Sequence, residues 1–314
     1  MIDSLLYLLI SSLLVGFAAC AGMAALQYPF VRWMSRAGSM GLSSDFWFAW
    51  GILPVLVGTF LGGFALAFDW LGSTGWLSNP HTQSSPKGGV FFWGVALGCF
   101  AVVLTAAVRT YRRYLPTYQL KGGVFPEKTA NGPSVSFSLL PSGLPVAFTA
   151  GLFSPRVYLT QAATEILTAQ EQDIVLSHEH EHIRRRDPLR LLLLTFCEYW
   201  LPGCRYILQQ WQGKVEIECD QASMKIGFAA DQVASTILKF ERAKATGCSP
   251  AMALAYAPDN HRDLKLRIES LFDSPAGAIG QRPVLLGCAA LCLVITVNFM
   301  EVHRGVKTFL GWLH

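Results

Sequence analysis

The chain has 314 residues and a formal net charge of +4. Charged residues make up 15% and hydrophobic residues 52%, against roughly 25% charged in an ordinary soluble domain. That balance excludes a highly charged disordered chain and argues against a soluble globule throughout, while the length suits two modest domains.

The apolar excess is concentrated in runs. Residues 5–27, 46–68 and 89–108 carry no charge, and neither do 283–300. Each run is long enough for a helix across a hydrocarbon core of ~30 Å, so four transmembrane helices are expected. Asp3 precedes the first run, and the first basic residue is Arg32. Without a basic leader, this run reads as an uncleaved span and not as a signal peptide. Arg32 and Arg36 follow the first run, Arg109, Arg112 and Arg113 follow the third, and the loop 69–88 holds only Lys87. Basic residues mark the cytoplasmic side. The expectation is therefore both termini outside, a cytosolic domain over 109–282, and a short outer tail after Met300.

Residues 109–282 have an α+β pattern. The stretches 117–125 and 133–140 alternate and carry β-branched and aromatic residues, as strands do. Phe148 to Leu159 reads as two more short strands, broken at Gly151 and Pro155. A strand just before the next helix can pair along its edge with an extended peptide. That helix opens with Thr168-x-x-Glu171, a capping box. Leu167, Ile174, Val175 and Ile183 give it an apolar side. It is expected to end at Asp187-Pro188, because the residue before proline is pushed out of the α region.

Inside this helix lies His178-Glu179-x-x-His182. Residues four apart share a helix face at about 5–6 Å, so the two imidazoles can hold one zinc ion, with Glu179 in reach of its water. A catalytic zinc takes a third protein ligand. Glu216 and Asp220 are also four apart, on a helix predicted over 205–228. Glu216 is assigned as the third ligand, and Asp220 as the carboxylate that fixes the ring proton of His178. Glu218 falls elsewhere on that helix. His180 and Glu181 fall off the ligand face, where solvation or support of the ligands is expected.

Further helices are predicted over 188–202, 231–246 and 259–272. The first is too short to cross a membrane and is expected to pack against the spans. Cys20, Cys99, Cys288 and Cys292 lie in the apolar runs, whereas Cys197, Cys204, Cys219 and Cys248 lie where thiols stay reduced. No Cys-x-x-Cys occurs, so no thiolate zinc site is expected, and Cys219 reads as a small packing residue. Arg184, Arg185, Arg186 and Arg190 are expected to meet lipid headgroups or acidic groups. Residues 109–282 hold 20 Lys and Arg against 17 Asp and Glu, which is no clustered basic surface, and no nucleic-acid partner is expected.

His-Glu-x-x-His followed by Glu-x-x-x-Asp resembles the gluzincin pattern. The segments 145–159 (PVAFTAGLFSPRVYL), 176–189 (LSHEHEHIRRRDPL), 216–220 (EIECD) and 264–271 (LKLRIESL) resemble the membrane metallopeptidases of the BlaR/MecR antirepressor type. Cys219 before the Asp favours that family over HtpX-type proteases, and the resemblance covers roughly residues 1–300. It implies a multi-span α-helical protein of the bacterial inner membrane with an inserted α+β zincin-like domain. It also implies one zinc per chain, Glu179 as the general base, and a protein substrate: a cytosolic repressor of the BlaI/MecI type, cleaved on a signal. For the group that faces the oxyanion, Tyr256, His261 and Arg267 are candidates by position, Arg267 equally as a structural ion-pair residue. Beta-lactam sensors of the family carry a penicillin-binding domain after the last span. Only about fourteen residues follow Met300, so a signal is expected through the outer loops, the spans or a partner protein. The competing readings are a membrane quality-control protease of the HtpX type and a non-proteolytic scaffold or metal-binding regulator. Glu179 argues against the last, since binding a metal does not need it.

Overall fold

The computed structural model describes residues 2–37, 42–73, 90–118, 123–127, 135–201, 203–246 and 261–273. They form two compact units. Among the described residues, one holds those up to Arg109 together with Leu194–Leu208, and the other holds Thr110–Leu193 and those from Gln209 to Asp273.

In the first unit lie the long helices α1 (Ile2–Ala37), α2 (Ser44–Ser73) and the greater part of α3 (Val90–Tyr118). Each contains a stretch long and apolar enough to cross a membrane: Leu9–Pro29, Ser44–Ala67 and Trp93–Tyr114. These correspond to the first three expected spans, and the fourth, 283–300, lies outside the described residues. Between apolar helices in lipid there is no hydrophobic driving force, so close packing must hold them. Small residues supply it here. A Cβ added to Gly58 would lie 2.5 Å from the carbonyl oxygen of Gly16 and 2.8 Å from Cβ of Cys20. Val15, Leu53, Val57, Leu61 and Ala65 extend the same contact.

The short helix expected over 188–202 is α6 (Asp187–Glu198). The segment that follows it buries Leu201 and Cys204, with Cys197, against Cys20 and Ala24 of α1, and Val55 of α2 packs on the group. The predicted contact with the spans is thus present. It takes 194–208 out of the continuous 109–282 domain, because these apolar side chains are covered by other apolar helices.

The second unit has a four-stranded sheet in the order β1-β2-β4-β3. β1 (Gly123–Glu127) and β2 (Val135–Leu140) are antiparallel, β2 and β4 (Arg156–Thr160) parallel, and β4 and β3 (Ala147–Ala150) antiparallel. The first strand was expected from 117, but α3 continues to Tyr118 and pairing with β2 starts only at Gly123. Gly151 turns the chain between β3 and β4 with φ of 108°, and a Cβ there would meet the Ser154 carbonyl at 2.7 Å, so only glycine fits. The strand directly before the motif helix is β4, which is internal. The open edge near that helix belongs to β3, because the hairpin folds β3 outside β4.

Phe137, Val157 and Leu159 of the sheet pack with Ala163, Leu167, Leu176 and Phe240 into one core. Burying each large apolar side chain stabilises the fold by about 1.5–3 kcal/mol. A short helix not expected from the sequence, α4 (Gln161–Ile166), is capped by Thr160. The motif helix α5 (Ala169–Arg185) opens with the full capping box between Thr168 and Glu171. It ends earlier than Asp187-Pro188, because Arg186 takes the left-handed conformation with φ of 56° and directs the chain into α6. α7 (Cys204–Ile226), α8 (Ala230–Thr246) and α9 (His261–Phe272) complete the described helices. Ile174 of α5 joins Phe228, Val233 and Leu271 in a second core that docks α8 and α9 beside α5.

Candidate metal centre

α5 presents His178 and His182 on one face, with ring centroids 4.9 Å apart and planes at 74°. Their Nε2 atoms converge to 3.2 Å. Across from them α7 brings the Glu216 carboxylate, whose Oε2 lies 3.5 Å from His178 Nε2 and Oε1 3.7 Å from His182 Nε2. Bonds of ~2.0–2.1 Å to a tetrahedral ion place neighbouring ligand atoms about 3.3 Å apart. The two imidazoles match that spacing and the carboxylate approaches it with one oxygen toward each ring, and all three are donor types that zinc takes.

The opposite ring nitrogens are also held. Nδ1 of His178 lies 2.8 Å from Oδ1 of Asp220, a residue only 1% exposed. Nδ1 of His182 lies 2.9 Å from Oδ2 of Asp187. Each carboxylate fixes the ring proton on Nδ1 and leaves the Nε2 lone pair toward the centre. From the sequence Asp220 is expected here, whereas Asp187 reads as the end of one helix and a possible N-cap of the next. The available signal was an Asp five residues past the second His, just beyond the left-handed turn at Arg186.

The sulfur of Cys219 also comes close, and His178, His182 and Cys219 offer donor atoms within 4.8 Å of one another. That sulfur lies 3.5 Å from Nδ1 of His182, the ring nitrogen facing Asp187. An imidazole binds an ion through its lone pair, so an ion shared by both Nε2 atoms lies on the far side of the ring from Cys219. On the Nε2 side the carboxylate that faces both rings is that of Glu216.

The surrounding carboxylates favour positive charge in this pocket. Burial opposes charge on His178, but Asp220 and Glu216 outweigh it and hold the imidazole up at about 10. Burial likewise works against a charged His182, which Asp187 and Glu216 raise. Burial would lift the Glu216 carboxyl, yet Arg267 and the two imidazoles hold it well below the usual carboxylate range. Asp220 is lowered against its burial by Arg267 and His178.

Glu179 is 8% exposed and lines a cleft of about 110 Å³ with His178, His182, Glu216, Phe148 and Ile237. The hydroxyl of Thr149, on the edge strand β3, lies 2.9 Å from Oε2 of Glu179 and 3.0 Å from its main-chain oxygen. No local pattern marked Thr149. Glu181 is buried and not solvated, and accepts from Nε of Arg184 at 2.7 Å. Glu218 turns away to Arg185 at 2.6 Å, so two of the basic residues after the motif meet acidic side chains of the same domain. Arg267 meets Asp220 and Glu216. His261 opens α9, and Tyr256 lies outside the described residues.

Asp187→Asn is expected to weaken zinc binding by about 10–100-fold, the usual worth of a carboxylate behind a ligating imidazole. Competition with a chromophoric chelator measures this, and unchanged affinity contradicts the role given to Asp187.

No curated protein matches the chain. The family model described as the BlaR1 peptidase M56 matches residues 139–271, from within β2 to within α9. That stretch, similar to the BlaR1 peptidase M56 model, takes in both histidines, Glu179, Glu216, Asp187, Asp220 and Arg267.

Proposed function

We propose that the chain is a zinc-dependent membrane endopeptidase of the bacterial inner membrane that cleaves a cytosolic protein, a transcriptional repressor in the first instance. The observation that carries this reading is the convergence of His178 Nε2, His182 Nε2 and the Glu216 carboxylate on the cleft that Glu179 lines. His178, His182 and Glu216 hold the ion. When bound, zinc supplies Lewis acidity, lowering the pKa of water toward neutrality and polarising a carbonyl.

The rest is the work of side chains. Glu179 takes the proton of the attacking water and passes it to the departing amine. Thr149 donates to one Glu179 oxygen, leaving the other to carry the proton. The open edge of β3 offers main-chain groups to an extended peptide, with Ala147 and Phe148 at the cleft. The basic residues beside the spans favour a peptidase domain on the cytosolic side, where a soluble repressor has direct access.

The test is cleavage of a purified winged-helix repressor and of unfolded casein by the full-length protein in detergent. The expected result is one cut in the repressor, lost with a chelator and restored by zinc. Cleavage that survives complete removal of metal contradicts the mechanism. Efficient cutting of casein with an intact repressor contradicts the substrate and favours quality control.

A further inference from the structure

We propose that Arg267 is a positioning residue that acts through the centre: its guanidinium holds Glu216 toward the ion and Asp220 toward His178, and it does not touch the substrate. This rests on the metallopeptidase reading above. Nε and Nη2 of Arg267 reach the two oxygens of Asp220 at 2.7 and 2.9 Å. Nη1 lies 3.2 Å from Oε2 of Glu216. Asp220 Oδ1 in turn faces Nδ1 of His178 at 2.8 Å. One planar cation thus links a metal-binding carboxylate with the carboxylate that orients a metal-binding imidazole.

The need for it follows from the spacing on α7. Glu216 and Asp220 are one turn apart, and like charges at that separation repel. Out of water they would splay or take up protons. A guanidinium presents donors in a rigid fork and can satisfy two carboxylates in fixed directions, whereas a lysine ammonium is a point charge on a flexible stem. Arg267 comes from a separate element, α9. That helix is docked by Leu271 against Ile174, Phe228 and Val233, with Ile268 beside them, and by the Gln221 amide donating to the Ser270 carbonyl at 3.3 Å. Turning the guanidinium toward a substrate oxygen would leave the buried Asp220 carboxylate without its cation, which is costly. An oxyanion role for Arg267 is therefore not what this geometry serves.

The experiment uses the full-length protein in detergent, as wild type, Arg267→Lys, Arg267→Met and Leu271→Val, the last loosening α9 without removing charge. Affinity for Zn²⁺ is read by competition with a chromophoric chelator. Thermal unfolding, and kcat and KM at saturating zinc, are measured on the same samples. Both Arg267 variants are expected to bind zinc about 10–100-fold more weakly, to keep the wild-type KM, and to recover most of kcat when zinc saturates. Leu271→Val is expected to melt earlier and to bind zinc within a few-fold of wild type. Three results overturn the proposal: Arg267→Lys binding zinc as tightly as wild type; a low kcat at saturating zinc with affinity intact, which marks an oxyanion donor; or Leu271→Val losing affinity as far as the Arg267 variants. Wild-type protein that takes up no zinc overturns the metallopeptidase reading itself, and is distinct from tight wild-type binding with unaffected Arg267 variants.

Discussion

Glu179→Gln is expected to leave a folded protein that takes up zinc as wild type does and cleaves its substrate about 10²–10⁴-fold more slowly, the range in which a positioned acid–base group contributes. Glutamine keeps the shape of the side chain and an oxygen that accepts from the Thr149 hydroxyl, now 2.9 Å from Oε2. What it loses is the capacity to take a proton and give it back. Glu179 sits next to His178 on α5 yet turns no atom to either Nε2 among the contacts that converge there, so metal uptake does not depend on it. Cleavage rate and zinc content on the same preparation separate the two functions. Undiminished cleavage by Glu179→Gln removes this residue from the chemistry.

Glu216→Ala is expected to lose the ion altogether at zinc concentrations that saturate wild type. The loss exceeds the ~10–100-fold that a carboxylate behind a ligand is worth, because a donor to the ion is gone. Two imidazoles at 3.2 Å remain, and Arg267 is left with Asp220 as its partner on α7. Elemental analysis after dialysis measures it directly. Cys219→Ala, run in parallel, is expected to keep the ion, because its sulfur is on the Nδ1 side of His182. If the cysteine variant loses zinc and the glutamate variant keeps it, the donor set derived above is wrong.

Much of the centre was legible in the sequence where its logic is local. His178 and His182, and Glu216 and Asp220, are pairs four apart, and helical periodicity puts each pair on one face before any tertiary structure is known. Thr168 and Glu171 announced the start of α5, and the described helix begins where they predict. Contacts between elements had no such signal. Thr149 meets Glu179 across 30 residues, and Arg267 meets Asp220 across 47, distances over which no periodicity operates. The left-handed turn at Arg186 is taken by a residue that does not favour it, and it delivers Asp187 to His182. The strand edge was placed one strand too late, since alternation marks a strand but not its neighbours. The assignment of 194–208 also needed tertiary information: an apolar half-helix is covered equally well by a domain core or by membrane helices.

Two imidazoles and the carboxylate of Glu216 are proposed to hold one zinc ion. Zinc K-edge X-ray absorption on the full-length protein loaded with one equivalent tests it most directly. The prediction is two imidazoles and oxygen at ~2.0–2.1 Å with no sulfur. A sulfur shell at ~2.3 Å would place Cys219 on the ion and contradict the account.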